Sequence, residues 1–423
     1  MLSALFRNRN ARNGVLFAMY SMLNTGINFI VMMLMAKYIN PNSYGSLSLF
    51  TTLISFLTIF ICLGTNGFIG VNFFVSEKDK IRRLVNVVLI TSIFIFFFLL
   101  FTFIVFRGAC ERLMGLSFLF LFLAILYCLL HVVISLLLDI WRLEEKVGKY
   151  GILSISYVLS NLVFTLIFVG VNHLDWHGRV YAQLLTCIVF FSISIFVLKK
   201  KGYLINILPL KKDFKESYKF GIPLLPHGTS FWLRQGLDRY VINAFMLQSV
   251  VGLFSFAVNI SNIIQIIGMA FNASYSVYIY KMLSSQEKTK IFCIKRNCVY
   301  LSMCYLVITI VIYVAALFLL PVVFPQYIDS RIYLFPLCIA SMFQCLYLVY
   351  VNILFYYKKT KQLMYITFPL AIIHAVLSVI FTKYGAVYAA YIALFVNALI
   401  ALTVYLYSQK ILNNNVALEA IDK

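Results

Sequence analysis

Apolar runs long enough to cross about 30 Å of hydrocarbon recur along the whole chain, each followed by a short polar connection. About twelve can be read, at residues 14–36, 44–69, 84–106, 113–138, 150–171, 178–198, 217–247, 251–276, 297–320, 330–356, 362–382 and 385–409. Runs of this length predict helices that carry their own backbone hydrogen bonds through lipid, so the expected fold class is an all-α integral membrane protein. The stretch from Lys199 to Lys219 carries seven lysines after the sixth run. It divides the chain into an N-terminal six-helix lobe over residues 1–198, a basic cytoplasmic inter-lobe loop over 199–216, and a C-terminal six-helix lobe with a cytoplasmic tail over 217–423.

The halves share a faint internal repeat. Asn24-Thr25-Gly26-Ile27-Asn28 can be laid on Arg234-Gln235-Gly236-Leu237-Asp238, and Tyr44-Gly45 on Val251-Gly252. An even number of spans per half makes the repeat parallel, related by a pseudo-twofold axis along the membrane normal. Two facing bundles around a central cavity are expected from it.

Composition agrees. Hydrophobic residues make up 63% and charged residues 12%, which excludes a soluble domain of this length. The net charge of +21 would suit a nucleic-acid partner only if it were gathered on one face, and it is not. Of the 35 Lys and Arg, six (Lys37, Arg107, Arg112, Arg179, Arg331, Lys383) fall in segments read as external and two (Arg234, Arg239) inside a span. The rest lie on the opposite side, which places both termini in the cytoplasm. Arg7, Arg9 and Arg12 precede a first run too long for a signal-peptide core, so it is expected to stay as a membrane helix. The nine cysteines show no C-x-x-C spacing and read as packing groups, and no metal site or cofactor is expected.

The chemistry concentrates in the seventh run. His227, Arg234 and Asp238 are spaced by 7 and 4 residues, which on one continuous helix brings them to a common face. A charge at the bilayer centre costs about 2.5–3.5 kcal/mol, so such groups line a wet cavity or pair with each other. Two readings stand: an internal Arg234–Asp238 ion pair at i, i+4, or a cation for an anionic substrate beside a carboxylate that exchanges H+ or Na+. Arg239 lies nearer the external end. Pro223 and Pro226 predict a kink or break in the same helix, a candidate hinge.

Polar stripes occur on the first run (Ser21, Asn24, Thr25, Asn28) and on the eighth (Ser255, Asn259, Asn262). They serve as cavity lining or as interhelical hydrogen-bond donors and acceptors. His131, Ser135 and Asp139 follow one another at i+4 steps, a spacing that would suit a proton path, but His131 and His374 both read as core histidines. No P-loop, nucleophile elbow or zinc spacing is present, so an enzyme is not expected.

Gly221-Ile222-Pro223-Leu224-Leu225-Pro226-His227, followed by Asp238-Arg239-Tyr240 and then by Val251-Gly252 with Phe254-Ser255, resembles the G-x-P-x-x-P, D-R-Y and G-x-Y-S pattern of Wzx-type polysaccharide flippases. These are O-antigen translocases of the multidrug/oligosaccharidyl-lipid/polysaccharide (MOP) exporter superfamily. Asn28 and Tyr44-Gly45-Ser46 match in the first half, and Phe254 stands where Tyr is common. The resemblance implies translocation of a polyprenyl-pyrophosphate-linked oligosaccharide from the cytoplasmic to the periplasmic leaflet of a bacterial inner membrane by ion-coupled alternating access. It implies membrane lipid, the polysaccharide polymerase and a chain-length regulator as partners, and no nucleic acid.

On that reading Arg234, Arg239, His227, Asn24, Asn28 and Asn259 bind substrate, Asp238 is the ion-coupling candidate for H+ or Na+, and Pro223 and Pro226 are hinges. A multidrug exporter of the same superfamily should show acidic groups in its lobes, and an O-antigen polymerase a large external loop. Neither feature is evident.

Overall fold

The computed structural model describes residues 9–204, 208–284 and 288–421. Arg7, residues 205–207 of the basic connection and residues 422–423 of the tail lie outside the described residues. All regular structure among the described residues is helical. Eleven helices among them are long and apolar enough to cross a membrane.

The chain gathers into two compact units, Met1–Trp232 and Leu233–Lys423. In the first, α1 (Arg9–Tyr38), α2 (Pro41–Phe60), α4 (Lys78–Val105), α6 (Phe118–Leu143), α7 (Val147–Thr165) and α8 (Asp175–Lys200) are the long helices. Shorter α3 (Thr65–Asn72) and α5 (Arg107–Met114) lie between them. Asn40 caps α2 by accepting the Ser43 amide at 2.9 Å, with Pro41 in the first turn, where its missing N–H costs nothing. A π-helical stretch, Leu166–Val171, ends α7.

The run expected as one seventh span, 217–247, is four pieces: α9 (Lys211–Gly221), a 3-10 turn (Ile222–Leu224), α10 (Leu225–Gln235) and α11 (Leu237–Phe245). Pro223 and Pro226 remove two backbone donors three residues apart and set the first break. Gly236, at φ −111° between α10 and α11, sets the second. The single continuous helix drawn from hydropathy is therefore corrected, because apolar character reports solvent and not backbone continuity.

Helix α9 packs in the first unit. Arg83 donates to Asp213 at 2.9 Å, Lys80 pairs with Glu216 at 3.2 Å, and Tyr218 meets Thr91 at 3.1 Å. Asp213 also accepts the Leu210 amide at the helix start, while Lys211, Lys212, Lys215 and Lys219 stay exposed. Helix α10 then meets α2, where the Trp232 indole N–H donates to the Thr52 carbonyl at 3.1 Å and the ring lies tilted against Phe56 at 4.6 Å.

The break at 221–224 lies directly on the break between α2 and α3. Leu63 and Gly64 have φ of 49° and 69°, a left-handed turn that ends α2. A Cβ at Gly64 would come within 2.8 Å of the Gly221 carbonyl oxygen, and one at Gly221 within 2.2 Å of the Leu63 oxygen. Backbone meets backbone at this point, with no side chain available to yield.

In the second unit α11 is followed by α12 (Gln248–Leu283), α13 (Lys288–Val323), α14 (Arg331–Tyr356), α15 (Thr360–Phe381) and α16 (Ala386–Ile421). The interrupted run 217–247 crosses from the first unit into the second after Trp232. Helices α12, α14 and α16 supply much of its core, including Ile264, Cys345, Ile353, Val396 and Ile400.

Gly221→Ala and Gly64→Ala should each destabilise the protein by roughly 3 kcal/mol, because only backbone can move to admit the methyl group. Gly70→Ala, with open space around it, should be neutral or gain up to about 1 kcal/mol. Thermal unfolding in detergent, read by dye labelling of the buried cysteines, separates the three.

Candidate functional site

The second unit contains a small cavity, about 40 Å³, lined by Arg234, Gln235 and Asp238 from the interrupted helix, Ser261, Asn262 and Gln265 from α12, Ser341 from α14 and Asn397 from α16. Phe254, Val258, Leu337, Ala340 and Ala393 form its apolar walls. Room of this size admits a few waters or one compact polar group. Amides dominate the polar lining. Gln235 donates to Gln265 at 3.5 Å and Gln265 to Ser341 at 3.1 Å, while the Asn397 amide reaches the Ala340 carbonyl at 3.5 Å.

Arg234 occupies the last turn of α10. Its Nη1 donates to the side-chain oxygens of Gln344 at 3.4 Å and Asn397 at 3.3 Å, and its Nε is buried with no hydrogen-bond partner among the described residues. Both acceptors are neutral and both contacts are long. The guanidinium is thus held in place by amide dipoles while its charge is left unneutralised.

Asp238 points elsewhere. It is 4% exposed and accepts Ser378 Oγ at 2.7 Å, and both of its oxygens lie 3.1–3.2 Å from His374 Nε2. Ser378 in turn lies 3.4 Å from Thr382. The i, i+4 ion pair between Arg234 and Asp238 is not formed, because Gly236 interrupts the helix between them and turns the carboxylate toward α15. The common face drawn through His227, Arg234 and Asp238 is broken at the same point, between Arg234 and Asp238, while His227 and Arg234 lie two turns apart on α10.

Of the residues singled out from the sequence, Arg234 and Asp238 share the cavity. Arg239 backs it, donating to the Gln235 carbonyl at 2.6 Å and Ser255 Oγ at 3.2 Å. Asn262 lines it, whereas Asn259 is half-buried on the same helix outside the lining. His227, Pro223 and Pro226, together with Asn24 and Asn28, belong to the first unit. His227 and Asn28 are exposed there, and Asn24 Oδ1 is buried without a partner among the described residues.

His131 stacks on Tyr127, Ser135 donates to its own helix at Val132, and Asp139 pairs with Arg142 at 2.7 Å, so this series forms no hydrogen-bonded path. Sequence reading passed over Gln344 and Asn397, whose only signal was an amide inside a span. It set His374 aside, although Ser378 one turn on and Thr382 one turn further mark a polar stripe.

Arg179, counted among the external residues, is 5% exposed near the start of α8 and donates to the side-chain oxygens of Asn161 and Thr165 on α7.

Residues 11–275 match the sequence profile of the family described as "Polysaccharide biosynthesis protein". The chain belongs to that family. Among relatives, "Lsg locus putative protein 1" of Haemophilus influenzae is 22% identical over 359 residues, 83% of this chain and 86% of its own length. An "Uncharacterized membrane protein" of the same organism is 23% identical over 349 residues, 80% of this chain and 81% of its own.

Solved structures of a multidrug resistance MATE family transporter of the MOP superfamily share the fold. The inward-facing form has a TM-score of 0.73 at 15% identity, over 93% of this chain and 96% of that one. The outward-facing form has a TM-score of 0.61 at 16% identity, over 97% of this chain and 98% of that one. This member of the polysaccharide biosynthesis family is therefore a multi-pass membrane protein that shares the fold of those structures.

Two substitutions should separate structure from function in the site. Asp238→Ala leaves His374 and Ser378 buried without their acceptor and should cost about 1–3 kcal/mol of stability. Arg234→Met replaces a weakly held charge by an apolar chain of similar length and should be neutral or stabilising. Thermal unfolding of the two variants in detergent checks both signs.

Proposed function

We propose that this protein is a flippase that moves a polyprenyl-pyrophosphate-linked oligosaccharide, such as an O-antigen repeat unit, from the cytoplasmic to the periplasmic leaflet of a bacterial inner membrane by ion-coupled alternating access. The observation that carries the reading is Arg234: a guanidinium at membrane depth whose contacts are all to neutral amide oxygens and whose Nε is unpartnered among the described residues. A cation kept at such cost without a counter-charge suits a mobile anion. A pyrophosphate diester offers two negative charges and the fork geometry that a guanidinium matches.

The surrounding amides and hydroxyls of Gln235, Asn262, Gln265, Ser341 and Asn397 suit sugar hydroxyls. Membership of a polysaccharide biosynthesis family and the transporter fold support the same substrate class. Arg239 supports the headgroup from behind, and His227, Asn24, Asn28 and Asn259 are carried as further substrate contacts. Pro223 and Pro226 serve as hinges for the moving helix. Asp238 is the coupling group, for H+ or Na+, and no cofactor is required. The polymerase and chain-length regulator that follow in glycan assembly are the expected protein partners.

The fold is equally that of a drug exporter, which would turn a carboxylate toward a cationic substrate. Asp238 turns its oxygens to His374 and Ser378, so the charged group with donors left to offer in the cavity is the Arg234 guanidinium.

In a strain whose surface glycan depends on this gene, deletion should leave lipid-linked oligosaccharide facing the cytoplasm, inaccessible to external lectin. The wild-type gene should restore external access, and normally inserted Arg234→Met protein should lower it at least about ten-fold, as loss of a charged contact does. Unpolymerised repeat units reaching the external face in the deletion strain would replace the flippase reading with a polymerase.

A further inference from the structure

Helix α9 sorts its charges by face. Its two acids turn inward: Asp213 is 3% exposed and accepts Arg83 at 2.9 Å and the Leu210 amide, and Glu216 is half-buried against Lys80 at 3.2 Å. Its four lysines, Lys211, Lys212, Lys215 and Lys219, turn outward and are exposed. The contact of Lys212 with Glu216, at 3.8 Å, is long and shared with Lys80. A segment whose sequence mixes both signs therefore presents the positive one outward.

The helix also spans the depth at which a bilayer changes from polar to apolar. Five of the first six residues of α4 are charged, and none is from Leu84 to Val105. Asp213 meets α4 at Arg83, within the charged part, whereas Tyr218 meets Thr91, eight residues or about 12 Å further along. Exposed apolar side chains flank α9 at both ends, Leu208 (83%) and Leu210 before it, Ile222 and Leu224 after it. Lysines set among such neighbours fit an interface, where their stems lie along hydrocarbon and their ammonium groups reach the level of the phosphates.

We propose that the outward face of α9 is a docking surface for the headgroups of anionic phospholipids, which supply the counter-charge that Asp213 and Glu216, engaged with Arg83 and Lys80, do not. Lys211, Lys215 and Lys219 follow one another at i+4 steps, so their ammonium groups form a stripe about 12 Å long that faces several phosphates in a row and encloses no single anion. Exposed Lys78 opens α4, and exposed Lys199 and Lys200 close α8. Of the exposed acids beside them, Glu77 and Asp79, the second is held by Arg82 at 2.7 Å. A zwitterionic headgroup carries no net charge to answer this excess, whereas an anionic surface strengthens attachment by about five-fold for each lysine near it. The surface is separate from the Arg234 cavity and stands whatever that cavity carries.

The test titrates the purified full chain in detergent with dioctanoyl phosphatidylglycerol, reads retained lipid by native mass spectrometry, and uses dioctanoyl phosphatidylcholine as the neutral reference. The wild-type chain should hold the first phosphatidylglycerol at least about ten-fold more tightly than phosphatidylcholine. That preference should shrink several-fold as ammonium acetate is raised from about 0.05 to about 0.5 M, because salt screens exposed charges.

Changing Lys211, Lys212, Lys215 and Lys219 together to Gln should remove most of the preference, and changing the same four to Arg should preserve it. A second quadruple variant, with Lys149, Lys281, Lys358 and Lys361 changed to Gln, loses the same charge from exposed lysines outside α9 and should stay within about two-fold of wild type. Equal loss in the two Gln variants would make retention a matter of net charge and overturn the surface. So would a wild-type chain that holds both lipids alike, an α9 Gln variant that keeps its preference, or an Arg variant that loses it.

Discussion

A backbone that leaves its helix inside a bilayer must find its partners in protein, and this constraint shapes the molecule more than any single contact. The first unit places one interruption, at Leu63-Gly64, against another, at Gly221-Ile222-Pro223, so each covers the other's exposed peptide groups. The second unit uses its interruption differently. Gly236 separates Arg234 from Asp238, two charges that a continuous helix would have brought together to cancel.

That separation gives the site its character. Paired with each other, the two charges would have formed an inert internal salt bridge of little net value. Held apart, the guanidinium lies among amides and the carboxylate against an imidazole, each with its own set of partners. The polar groups that hold them, Gln344, Asn397 and Ser378, come from α14, α16 and α15. The arrangement is therefore a property of the folded unit and not of one segment.

How much of this could be read from the chain follows from which signals are local. Hydropathy is local, and it placed most of the spans to within about seven residues because the bilayer demands a minimum apolar length, but it drew the second run, 44–69, through the break after Phe60 as it drew the seventh through its own. Charge within an apolar run is local too, which is why Arg234 and Asp238 stood out. Their partners were not legible: His374 is 136 positions from Asp238, and nothing near it in sequence separates it from His131, which stacks on Tyr127 and binds no carboxylate. Angular arguments failed at Gly236 because they assume an unbroken helix. The burial of Arg179 against Asn161 and Thr165 was not legible either, because its partners lie on another helix.

The paired glycines carry a consequence for how such a chain can drift. Most buried neighbours can exchange volume, one side chain shrinking as the other grows. At Gly64 and Gly221 the contact is between main chains, so neither position holds any volume to trade and no second change can rescue a first. Homologous chains that keep this junction are bound to keep both residues together or to abandon both interruptions at once.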